Sequence, residues 1–149
     1  MARRLLFIGA VIIIVLLVII STDLVSMVGP GTTFNNEVIK NIEKEGRQIT
    51  SFDISNYLSN NEFTIENKED ISRLTGILSS MKLKKTKDVI EKRVWIDVKV
   101  NGERRYSLAL SDDNSQISII DYKNRKIIDY TITDITNKDI LRDMLIHSH

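Results

Sequence analysis

The chain has 149 residues, with 21 Lys+Arg against 20 Asp+Glu and no cysteine, for a net charge of +1. That balance excludes an electrostatic nucleic-acid binder, which needs a basic footprint. The missing cysteines exclude disulfides, thiolate zinc sites and cysteine nucleophiles together.

Leu5 to Ile20 is an unbroken apolar run in which only Gly9 and Ala10 are small, and Arg3 and Arg4 stand directly before it. As a helix it spans about 24 Å, and the arginines can snorkel to cover the rest of a bilayer core of roughly 30 Å. The expectation is a cytoplasmic tip and transmembrane anchor over residues 1–28, with the membrane as a partner. A cleaved signal peptide shares the basic start, but cleavage needs small residues one and three positions before the cut; Ile19 to Asp23 fit that poorly, and Leu24-Val25-Ser26, the best candidate, is weak. After Arg4 the next basic residue is Lys40. The positive-inside rule then puts the amino terminus inside and the carboxy-terminal domain outside a cell membrane, crossed once.

Val28-Gly29-Pro30-Gly31 reads as a tether, giving a short linker over 29–36 and an extracytoplasmic domain over 37–149. All the basic residues but Arg3 and Arg4, and all the acidic ones but Asp23, follow Gly31, so 19 of each sign share this domain. Val38 to Glu45 fits a strand, but Val38, Ile39 and Ile42 also fit a helix stopped by Gly46. Gln48 to Ile54 and Glu62 to Glu66 read as short strands, with one helical turn near Tyr57 and Leu58. Asn67 caps a helix in which Ile71, Leu74, Ile77, Leu78 and Met81 form one apolar stripe.

Lys82, Lys84, Lys85 and Lys87 follow as a basic run. A solvated helix end accounts for them, and contact with an anionic surface is the functional alternative. Val94, Ile96, Val98 and Val100 alternate into Asn101-Gly102, the signature of a tight type I′ hairpin. Tyr106 to Leu110, Gln116 to Tyr122 and Ile127 to Thr133 complete a four-stranded antiparallel meander. Thr136 and Asp139 open a closing helix with Ile140, Leu141, Met144 and Leu145 on one side. The expected fold class is α+β: an N-terminal transmembrane helix followed by an antiparallel β-sheet packed by two helices.

The search for catalytic chemistry finds little. The only histidines are His147 and His149, at a carboxy end that usually frays. No phosphate loop, dinucleotide fingerprint, His-Glu-x-x-His or nucleophile elbow occurs. Asp112, Asp113 and Asn114 lack the glycine and final glutamate of a calcium hand. No enzyme, cofactor or metal is expected. Trp95 points away from the valines on its strand, together with Asp97 and Lys99, and the hairpin is expected to add Arg105. An aromatic side chain between charges of both signs has the residue mix of a binding hot spot.

The helix of Ile71 to Met81, the Lys84 to Lys87 stretch and the strands that follow resemble small membrane- or lipid-anchored Firmicute domains of unknown function, over residues 62 to 145. Heavy use of Ile, Lys and Asn agrees with a Gram-positive source. Bacteriocin-immunity proteins are similar in architecture only. The reading is a non-enzymatic, membrane-anchored extracytoplasmic binding protein with a protein or peptide partner, of immunity type. An accessory subunit of a membrane protein complex is the alternative.

Overall fold

The computed structural model describes residues 31–57, 60–88 and 91–134. All of them belong to one compact unit, Gly31–His149. The expected anchor at residues 1–28 and the closing helix with its histidines lie outside the described residues.

Eight strands form one antiparallel sheet: β1 (Thr32–Thr33), β2 (Ile49–Asn56), β3 (Asn61–Ile65), β4 (Lys82–Lys85), β5 (Lys92–Val100), β6 (Glu103–Ser111), β7 (Gln116–Asp121) and β8 (Lys126–Ile132). Their order across the sheet is β1-β4-β8-β7-β6-β5-β2-β3. The meander β5 to β8 lies at its centre, where short turns join neighbours. Asn101 and Gly102 both take positive φ, 54° and 81°, as a type I′ turn requires.

A π-helical segment (Asn35–Ile39) runs directly into helix α1 (Lys40–Lys44). Of the two readings left open for Val38 to Glu45, the helical one holds. Val38, Ile39 and Ile42 are buried together, which a strand's two-residue alternation would not allow. Gly46, at φ 67°, ends the helix. Helix α2 (Lys68–Ser80) starts where Asn67 Oδ1 accepts the Glu69 N–H at 2.8 Å. Its Leu74 and Leu78 are fully buried. At Met81 the apolar period changes from helical to alternating: Met81 and Leu83 are buried while Lys82 and Lys84 are exposed. The basic run is therefore mostly a strand, β4, and not a helix end.

The core lies between the helices and one sheet face. It joins Phe34, Val38, Ile42, Leu74 and Leu78 to Phe52, Ile96, Val98, Leu108, Leu110, Ile117 and Tyr130. Thr32 and Thr33 pair with β4, and Phe34, in the stretch expected as linker, is fully buried.

Two expectations are corrected here. The fold is mostly β, an eight-stranded antiparallel sheet with two short helices among the described residues, in place of the expected α+β fold led by a transmembrane helix. No helix among the described residues is long and apolar enough to cross a membrane. The expected single-pass cell-membrane localisation is set aside with it, since the Leu5 to Ile20 run on which it stood lies outside those residues.

Candidate binding face

The sheet face turned away from the helices carries the side chains that alternate with the core. Strand register places Trp95 between Ser55 and Ala109, and Asp97 between Asp53 and Ser107. Lys99 lies beside Ser51 on one side and Arg104 on the other. Alternation thus brings Trp95, Asp97 and Lys99 together, as the sequence implies. Trp95 is half-buried, with Lys92 Nζ 5.8 Å from its ring centroid.

Arg105 does not join them. The β5–β6 ladder slips between Val98 and Lys99, so that Val98 pairs with Tyr106 while Lys99 pairs with Arg104. One extra residue on β6 exchanges the faces of the two arginines. Arg104 takes the Trp95 face, 2.6 Å from Asp97 and over the Tyr122 ring at 5.9 Å. Arg105 turns to the helix side and is buried there, bridging Asp121 at 2.5 Å and Glu45 at 3.1 Å.

That network is structural. Burial works against the Arg105 charge, yet its hydrogen bonds to Glu45 and Asp121 outweigh burial and raise its pKa. The Arg105 hydrogen bond, with help from Lys123, holds Glu45 below its ordinary range. Asp121 is also lowered: burial opposes the shift, but the Asn124 backbone N–H and Arg105 overcome it. Burial, with the Asp121 charge beside it, pushes the Tyr106 phenol up to about 12.

On the Trp95 face three aspartates lie in three different strand pairs. Each accepts a hydroxyl from the residue directly across: Asp53 from Thr64 at 3.0 Å, Asp97 from Ser107, and Asp129 from Ser118 at 2.5 Å. Lys99 also reaches Asp53 at 2.5 Å. These carboxylates hold neighbouring strands together and leave the face close to neutral. Among the described residues no group of three or more His, Cys, Asp or Glu is placed to hold a metal.

Three further residues of this face went unremarked in the sequence. Tyr122 and Ile127 are exposed and Ile120 is half-buried. The Tyr122 hydroxyl lies 3.1 Å from Ser107 Oγ. The signal was present, because Ser118 and Ile120 share a strand parity opposite to Ile117 and Ile119; placing them beside Trp95 needs the register across β6. Between Trp95 and this apolar group lie only small side chains, Ser107, Ala109 and Ser118, all fully buried.

Lys82, Lys84, Lys85 and Lys87 are exposed and form no ion pair among the described residues. The structure does not bring them to Trp95. β4 is four strands from β5, about 19 Å across the sheet.

No family model matches the chain, and the searches of curated proteins and of solved structures find no match. None of these comparisons supports the resemblance expected over residues 62 to 145.

Proposed function

We propose that this protein is a non-enzymatic binding module that holds a protein or peptide partner on the sheet face around Trp95. One observation carries the reading. Trp95, Ile120, Tyr122 and Ile127 share a face that no described helix packs on, while Arg104, Lys99 and Asp97 add charges of both signs. Large aromatic anchors among paired charges are what interface hot spots are made of. Exposed aliphatic and aromatic side chains gathered on one surface mark contact sites. The carboxylates that an acid–base enzyme would use are engaged instead by cross-strand hydroxyls and cations.

The complementary partner presents an apolar centre with mixed charges at its rim. The test is capture of a partner by the full chain, repeated with Trp95→Ala, Tyr122→Ala and Lys84→Gln. Loss with the first two and retention with the third supports the reading, provided all three melt near wild type. A partner that ignores Trp95 and Tyr122 overturns it.

A further inference from the structure

The opposite, helical side of the molecule contains a groove that the binding face does not use. A cavity of about 400 Å³ lies among the π-helical segment, α1, the start of β2 and α2, lined by Ile39, Ile42, Ile49, Ile71, Thr75 and Gly76. It continues past Arg47, Gln48, Ile49, Ile71 and Ser72 into a second space of about 630 Å³. There the walls become polar, with Thr50, Glu66, Lys68 and Asn101.

Polarity is graded along this groove. The first compartment has four isoleucines on its walls. The second adds Lys68 and Glu66 to Arg47, which lies at the junction and lines both spaces, so two cations face one anion there. Neither cation forms an ion pair among the described residues. Glu43 stands at the apolar end and disfavours an anionic group placed there. From Ser79 to Lys68 the wall formed by α2 is about 16 Å long, the length of an extended medium-chain acyl group.

Gly76 adds an independent observation. It lies inside α2, where glycine costs about 1 kcal/mol relative to alanine. Nothing in the fold requires it: a Cβ built there meets no atom within 4 Å. Its missing side chain keeps the cavity wall low.

We infer that this groove binds a free single-chain fatty acid, with the aliphatic tail among Ile39, Ile42, Ile49 and Ile71 and the carboxylate at Arg47 and Lys68. Its volume falls in the range of small-ligand pockets, which are mostly apolar with a few polar groups that fix orientation. Charge complementarity at the polar end sets the direction of the chain, and about 400 Å³ in the apolar compartment suits a single aliphatic tail.

The test uses the full chain and dodecanoic acid carrying a photoreactive diazirine at its tail, with adducts mapped by mass spectrometry. Adducts should fall within residues 39–49 and 71–79 and be displaced by excess dodecanoate. Gly76→Leu fills the apolar compartment and should lower labelling there roughly tenfold or more. Ser79→Leu provides a second plug should the first fail to fold, with the melting temperature as the check. Arg47→Gln combined with Lys68→Gln should weaken displacement by dodecanoate and leave displacement by dodecanol unchanged. Adducts that fall elsewhere, labelling that survives a folded plug variant, or equal loss of both competitors overturns the inference. Because the groove and the Trp95 face are on opposite sides of the sheet, either proposal can fail without the other.

Discussion

Arg105 shows how much a single position can decide. Its guanidinium is the common partner of Glu45, from the end of α1, and Asp121, from the end of β7. It also lies over the Tyr106 ring at 4.3 Å. Removing one partner of a buried ion pair leaves the other charges uncompensated, so Arg105→Met should cost about 3 kcal/mol in chemical denaturation. The same network sets the acid limit of stability. Glu45 and Asp121 have folded pKa values below their ordinary 4.5 and 3.8. Their contribution is therefore present above those values and is lost as pH falls through the lowered ones. Melting temperature should drop steeply below about pH 4 in the wild type, and Arg105→Met should flatten that acid arm. The alkaline side has the opposite sign. Tyr106 is raised from 10.0 to about 12, so its contribution is complete below pH 10 and disappears as pH rises toward the folded value.

Among the elements, α2 depends on a small set of contacts. Leu74 and Leu78 are fully buried against the sheet. Either one changed to Ala should cost about 2–5 kcal/mol, measured by denaturant titration. Asn67→Ala removes the acceptor for the Glu69 N–H and should cost about 1 kcal/mol. This helix and the β5–β6 hairpin were legible in the sequence because their signals are local: a cap, a stripe at helical spacing, and Asn-Gly between alternating runs. β4 was not, since Lys82-Leu83-Lys84-Lys85 has a single buried side chain, and its alternation with Met81 is too short to separate a strand from the end of the helix. It is a strand because β8 provides a ladder for Leu83, Lys84 and Lys85. The face of Arg105 was misread for a related reason. Strict alternation from Trp95 predicts its side only if the ladder has no slip, and the slip at Val98/Lys99 follows from how the whole hairpin packs. At the candidate site, Trp95, Asp97 and Lys99 needed only strand parity, whereas Tyr122 needed the register from β5 through β7 and Ile127 that from β5 through β8.

At the scale of the whole molecule, the strand order separates local pairing from distant pairing. β5, β6, β7 and β8 pair in succession through short turns. β2 must instead find β5, and β4 must find β8, across long stretches of chain. Loop-closure entropy has to be met before those distant contacts contribute. The central meander is therefore expected to order first, with β1 and β4 joining the β8 edge late, and refolding should fall in the millisecond-to-second range typical of β-rich domains. Leu108 and Leu83 separate the two stages, since both are buried, one in β6 and the other in β4. In stopped-flow refolding and unfolding, Leu108→Ala should slow refolding because its contacts already exist in the transition state. Leu83→Ala, at a similar loss of stability, should leave refolding close to wild type and accelerate unfolding. The reverse assignment of the two rates would mean that the sheet is nucleated at its β4 edge and that the hairpins of the meander close afterward.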